Sequence, residues 1–271
     1  MSALYPLVRN LYAFSTRFGV SRSPSREGSS PRSFSSFVIA SCILPFYISA
    51  AAAQSADALY ADRANLASAR RAAAIWSSAL ESDPRNADAA WKLARIDYWL
   101  GNHAPEGERR GFLESGIDAG RRAAALQPAR PEGHFWIAAN MGALAESFGL
   151  RQGLKYRKPI KEAIETVLRL DPRFMDGSAD RALGRWYFKV PRLFGGDRKL
   201  SETHLRQSLT YNPDSTVSHF FLAELFDDEK RTAEARAEFQ KVLDAPVSRD
   251  WAPEDHDYKE RARRILTTLR P

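Results

Sequence analysis

The chain has 271 residues and a formal net charge of +7, with 27% charged residues and one cysteine. Residues 1–36 hold five Arg and one Glu and residues 37–53 hold no charge, so residues 54–271 carry 35 basic against 32 acidic side chains. The folded part is therefore mixed in charge, which argues against a nucleic-acid protein, and a lone Cys42 excludes an intramolecular disulfide.

The first 36 residues are Arg- and Ser-rich, and residues 37–53 (FVIASCILPFYISAAAA) form a short apolar run ending in small residues. A charged leader, an apolar stretch and a small-residue end fit a secretory signal cleaved after Ala53. At 17 residues the run also reaches the lower limit for a retained membrane anchor. An organellar transit peptide shares the composition of the first 36 residues. Cys42 follows Ile39-Ala40-Ser41, like a lipoprotein box, but most of the apolar run lies after it, so a cysteine within a signal helix is the better reading. The division expected is a leader at 1–53 and a helical domain at 54–271, placed in the periplasm or otherwise exported, with a mitochondrial location as the alternative.

A first helix is predicted at about 56–80. The chain then stops four times in the same way, at Asp83-Pro84, Gln127-Pro128, Asp171-Pro172 and Asn212-Pro213, with prolines 44, 44 and 41 residues apart. Each stop ends an apolar helical stretch and precedes an aromatic-rich one: AAWKLARIDYWL, GHFWIAANMGAL, ADRALGRWYF and SHFFLAELF. Self-similarity at a fixed period marks a repeat architecture. Here the unit is a helical hairpin, which buries its apolar face only by stacking on the next. A last helix is predicted at about 256–269. The absence of alternating apolar and polar runs predicts an all-α chain of ten to twelve helices.

The residues match the tetratricopeptide pattern of small and large positions on paired helices. The fourth copy supplies Leu222, Ala223 and Phe226, then Ala235, Phe239 and Val242. The third supplies Leu183, Gly184 and Tyr187, then Ser201, Leu205 and Ser208. The fold class expected is thus an all-α, tetratricopeptide-like superhelical solenoid of about four hairpins with capping helices. Copies one to three exceed the usual unit of about 34 residues, and the extra length falls at 101–111, 148–159 and 189–199. Insertions repeated at one point of a hairpin project from one side of the stack. In the last, Pro191 should stop a helix, Gly195 and Gly196 permit a tight turn, and Asp197 should cap the next helix.

At HFWIAANMG, LGRWYFKVP and RLFGGDRKLSETHLRQSL the chain resembles the tetratricopeptide-type T component of TRAP transporters. That resemblance implies an exported helical protein that docks a periplasmic solute-binding protein, with a role in transport. Residues 132–188 also resemble the regulator of microtubule dynamics family, through His134, Trp136, Gly142, Ala145-Glu146, Gly149 and Leu183-Gly184-Arg185-Trp186. This second resemblance implies a mitochondrion-associated or intracellular scaffold of the same architecture.

No phosphate loop, nucleotide fingerprint, zinc-protease motif or nucleophile elbow occurs. The reading is a non-enzyme without cofactor or metal, whose partner is a protein, another copy of itself or, through residues 37–53, a membrane. His134 and His219 recur at the same repeat position, which packing explains better than a metal. The inner helices offer Trp99, Met141, Arg181, Arg185, Trp186 and Phe220 as ligand- or partner-binding candidates, beside the loop residues Pro191, Gly195, Gly196 and Asp197. Arg181 and Arg185 lie four apart, on one helix face, and together could accept carboxylates. A small organic acid or hydrophobic ligand carried in the groove is the alternative function. The basic stretch 151–161, with five Arg or Lys residues, suits an acidic partner.

Overall fold

The computed structural model describes residues 55–269, and the leader, Cys42 and the apolar run 37–53 lie outside the described residues. Eleven α-helices follow one another: α1 (Ala56–Ala61), α2 (Leu66–Ser82), α3 (Ala87–His103), α4 (Glu106–Leu126), α5 (Pro131–Ser147), α6 (Leu150–Leu170), α7 (Ser178–Lys189), α8 (Arg198–Tyr211), α9 (Thr216–Asp228), α10 (Thr232–Asp244) and α11 (Ala252–Thr268). A single 3-10 turn, Arg192–Phe194, precedes α8. Among the described residues there is no strand, and no helix is long and apolar enough to cross a membrane.

The proline stops have a shared chemistry. Asp83, Asp171 and Asn212 each end a helix in extended backbone. Their side-chain oxygens accept the N–H two residues on, from Arg85, Arg173 and Asp214, at 2.9–3.0 Å. Such Asx turns reverse the chain while satisfying a backbone donor. Asn86 and Ser215 then cap the next helices, and Pro131 begins α5, where a missing N–H costs nothing.

The hairpins are α3/α4, α5/α6, α7/α8 and α9/α10. Successive first helices touch, α3 on α5, α7 on α9 and α9 on α11, whereas the second helices are held apart by them. The first helices therefore line the inner side of the superhelix. Buried Asn140 ties two of them, its amide donating to the carbonyls of Ala94 (2.9 Å) and Trp136 (2.8 Å). At the third hairpin, a Cβ on Gly184 would lie 2.6 Å from the Leu205 side chain, so only glycine admits α8 this closely, and Ser201 donates to the Gly184 carbonyl at 2.8 Å. The core runs along the stack in four apolar clusters rather than as one ball, as stacked repeats require.

Two of the three expected insertions are not loops. The 101–111 segment is split between α3 and α4 across a two-residue connection, and most of 148–159 is the start of α6. The extra residues lengthen helices, and Pro159 sits inside α6. A proline there forfeits one helical hydrogen bond. The turn before it is secured from outside, because the Trp186 indole N–H donates to the Arg157 carbonyl at 2.8 Å.

The first helix, expected to be continuous, breaks at 62–65, where Asp62 ends α1 and Asn65 caps α2. The break turns Arg63 inward, and it is 1% exposed. Its guanidinium donates to Glu254 in the first turn of α11 (Nε to Oε1, 2.9 Å), to the Asp250 carbonyl just before that helix (2.9 Å), and to the Tyr60 carbonyl. Trp251 packs into the core of the first helices, and His103 Nε2 lies 2.9 Å from Asp257. The two ends of the array meet through these side chains, where the first and last helices were expected only to cap the stack.

Candidate functional site

Closure gives the molecule an inner face bounded by α3, α5, α7, α9 and α11. At its centre, Arg185 on α7 is bidentate to Glu146 of α5, through Nε (3.1 Å) and Nη2 (3.0 Å), and its other nitrogen bonds Glu224 of α9. Its charged plane lies 4.4 Å from the Phe221 ring centre. Burial would lower the Arg185 pKa, but Glu146 and Glu224 outweigh it and raise it. Burial likewise opposes ionisation of Glu146, and Arg185 holds its pKa below the usual carboxylate range. Arg261 of α11 approaches Glu224 at 3.9 Å.

Arg181, one turn earlier on α7, is different. Its side chain is half-buried, and among the described residues no carboxylate lies within ion-pairing distance of its guanidinium and no guanidinium nitrogen is hydrogen-bonded. Burial lowers its pKa, and Tyr258, Asp176 and Tyr98 offset only part of this. Tyr98 of α3 and Tyr258 of α11 are half-buried. Their phenols are pushed up by burial, so both stay neutral hydroxyl donors.

The structure thus brings Arg181 and Arg185 onto one inner face, but assigns Arg185 a structural ion pair. Trp99, Met141, Trp186 and Phe220 are corrected in position: they are buried, at 4, 3, 8 and 0% exposure, and pack the core instead of lining the groove. Trp99 stacks on His103 at 3.6 Å, and Phe220 meets Phe239 edge-on at 5.4 Å. Sequence reasoning missed Glu146, Glu224, Tyr258 and Arg261 as inner-face residues. Glu146 and Glu224 sit on first helices at positions where the repeat pattern sets no residue type, and Tyr258 and Arg261 belong to the closing helix.

The second feature is the loop 191–197. Pro191 ends α7, the carbonyl of Pro191 accepts from Phe194 (2.8 Å) and Gly196 (3.2 Å), and Gly195 adopts φ +103°. A Cβ on Gly196 would fall 1.7 Å from the Val190 carbonyl oxygen. Asp197 caps α8, accepting from Lys199 (2.8 Å) and Leu200 (3.0 Å), as expected. This tight turn holds Leu193 87% exposed, with Phe194 beside it. Arg157 of α6 covers the Phe194 ring at 5.4 Å, which sets the start of α6 against the loop. Of the seven large apolar side chains exposed among the described residues, Leu150, Leu193, Phe194 and Leu200 belong to this end, so the exposure is concentrated, not scattered. Arg151, Lys155, Lys158, Arg192 and Lys199 surround them and are exposed.

The recurring histidines serve the repeat. His134 Nε2 donates to the Pro128 carbonyl at 3.0 Å and His219 Nε2 to the Pro213 carbonyl at 2.7 Å, each six residues back. Among the described residues no group of three or more His, Cys, Asp or Glu side chains converges as metal ligands do.

Among solved structures, the chain is similar to a thermophilic TPR (tetratricopeptide repeat) protein of Thermus thermophilus, with a TM-score of 0.59 and 23% identity over 77% of this chain and 96% of that one. It is also similar to MamA, with a TM-score of 0.44 and 14% identity over 74% and 95% of the two chains. The first of these shows the helical-repeat fold, and no catalytic family is indicated. No individually curated protein matches. The family profile described as Regulator of microtubule dynamics protein 1-3 matches residues 52–220, which takes in hairpins α3/α4, α5/α6 and α7/α8. Of the two sequence resemblances it is the second that a family match supports, and the chain belongs to the Regulator of microtubule dynamics protein 1-3 family.

Proposed function

We propose that the chain is a protein-interaction module whose docking face is the apolar tip formed by loop 191–197 and the start of α6. The observation that carries this is Leu193, 87% exposed on a loop pinned by Pro191, Gly196 and Asp197. A fold that orders an apolar side chain only to leave it in water loses hydration free energy, which a partner recovers by covering it. The surrounding Arg and Lys residues select a partner with an acidic rim around an apolar centre. The helical-repeat fold supports a protein partner.

The test is affinity purification of the full chain from cells that make it, in parallel with the Leu193→Ser/Phe194→Ser double variant. The reading expects a discrete partner with the wild type and its loss with the variant, at unchanged melting temperature. Retention of the partner by a folded variant contradicts the docking face. The identity of the captured partner separates two narrower readings. A periplasmic solute-binding protein is what the T-component resemblance implies, and a cytoskeletal or organelle-bound protein is what the family's name suggests.

A further inference from the structure

The apolar tip at Leu193 has a counterpart on the same molecule. Where the third hairpin gives way to the fourth, an open cleft of about 420 Å³ is lined by apolar Leu209, Pro213 and Ala245 and by the carboxylates of Asp214 and Asp244. A cavity of roughly 150 Å³ already holds a benzene ring, so the cleft has room for a leucine or phenylalanine side chain. Val247, two residues beyond Ala245, leaves a further apolar side chain 43% exposed. Both aspartates are exposed, and neither is in an ion pair among the described residues. Asp244 accepts a hydrogen bond from Gln240 at 2.9 Å. The cations at the cleft are already engaged: Lys241 donates to Glu238 at 2.8 Å, and the ring nitrogens of buried His219 face Glu238 and the Pro213 carbonyl. The uncompensated charge here is therefore negative. At the tip it is positive, because Arg151, Lys155, Lys158, Arg192 and Lys199 are exposed and make no ion pair among the described residues.

Tip and cleft lie at opposite ends of α8. Leu193 and Phe194 come just before its cap, Asp197, and Leu209 sits in its last turn. A helix of 14 residues rising about 1.5 Å per residue holds the two ends about 20 Å apart, so a copy cannot fill its own cleft. We propose that the occupant of the tip is a second copy of this chain, whose cleft takes Leu193 and Phe194 while its Asp214 and Asp244 face the Arg and Lys residues of the tip. This rests on the docking-face reading above and names its partner. A contact between two different surfaces is heterologous, so every copy has a tip to give and a cleft to fill, and copies add head to tail into a ring or an open chain. Covering the apolar tip supplies the driving force, and the opposed charges set the register and reject wrong partners. The contact is a loop in a cleft rather than a broad face, so it is weak and reversible, and salt screens its charged part.

The experiment is sedimentation velocity of the full chain over a concentration series at low and high salt. It compares the wild type, the tip variant Leu193→Ser/Phe194→Ser, the cleft variant Asp214→Lys/Asp244→Lys, and an equimolar mixture of the two variants. The mean mass of the wild type should rise with concentration and fall back with salt. Each variant alone should associate at least about tenfold more weakly. The mixture should recover a discrete one-to-one dimer, because the intact tip of one variant enters the intact cleft of the other and neither can extend the chain. A contact of tip on tip would not be rescued by mixing, so absence of the mixed dimer overturns the proposal. A wild type that stays monomeric throughout, or a cleft variant that associates like the wild type, also overturns it. Should the lysine variant fail to fold, Asp214→Asn/Asp244→Asn removes the charge and keeps an acceptor for Gln240. It should weaken association severalfold and blunt the salt dependence, and unaltered association overturns the proposal. Failure here and failure of the docking face are distinguishable. A wild type that stays monomeric yet captures a different protein through Leu193 and Phe194 refutes the second copy and leaves the docking face standing, whereas a folded tip variant that keeps its captured partner refutes the docking face itself.

Discussion

Arg63 and Glu254 are 191 residues apart in sequence and share two hydrogen bonds at the seam where the first and last helices meet. The arginine is almost wholly buried and the glutamate side chain is 23% exposed. Burial raises the Glu254 pKa, against the opposing pull of Arg63. Tyr60 and Trp99 flank the guanidinium, at 4.5 and 5.4 Å from their ring centres. This one pair turns a stack of hairpins into a closed array.

The two inner-face arginines should separate cleanly by stability. Arg185→Gln leaves Glu146 and Glu224 facing each other without their cation. Both glutamates are partly exposed, which reduces the penalty below that of a fully buried pair, to about 1–3 kcal/mol. Arg181→Gln breaks no side-chain hydrogen bond or ion pair among the described residues, so its stability should stay within about 0.5 kcal/mol of the wild type's. Urea denaturation of the two variants checks this, and equal destabilisation would refute the assignment.

Asp97 predicts a pH dependence. It is 2% exposed, its Oδ2 has no hydrogen-bond partner among the described residues, and burial raises its pKa from 3.8 to about 7. Between these values the folded state holds a proton that the unfolded chain has released. Stability therefore falls as pH rises across that window, and the loss is complete above about 7. Its size is roughly 4 kcal/mol, from about 1.36 kcal/mol per unit. Asp97→Asn should flatten this part of the curve and be more stable than the wild type at about pH 8. Superimposable stability curves of variant and wild type would show that Asp97 does not titrate in this way.

Gly196→Ala tests the loop. The added methyl would sit on the Val190 carbonyl, so the turn must open, at a cost of about 1–3 kcal/mol, or several degrees in melting temperature. The variant should also lose the partner captured by the wild type, because Leu193 is no longer presented. Unchanged melting and unchanged capture would mean that the turn does not hold the tip.

The repeat was legible because its signals are local. The four stops combine a proline with an Asx or Gln side chain, Gly184 marks a close helix crossing, and Asp197 sits where a cap is needed. The stops and the cap depend on residues within a few positions of one another, and the Gly184 crossing lies within a single hairpin. The 148–159 segment misled because its length beyond the usual unit read as an insertion, while packing of Tyr156 and Ile160 in the core kept it helical. Trp99, Met141, Trp186 and Phe220 misled for a different reason. In stacked hairpins an aromatic on a first helix can face either the groove or the next hairpin, and periodicity alone does not distinguish the two. Closure was illegible because Arg63 and Glu254 belong to no repeat.

The central claim is that the array is closed, and a double-mutant cycle on Arg63→Met and Glu254→Gln in urea denaturation tests it most directly. In an open stack these residues would be remote and their effects would add within about 0.5 kcal/mol. The closed structure predicts a coupling of at least about 1.5 kcal/mol, with each single variant destabilised and the double variant less so than their sum. Simple additivity would contradict the closure.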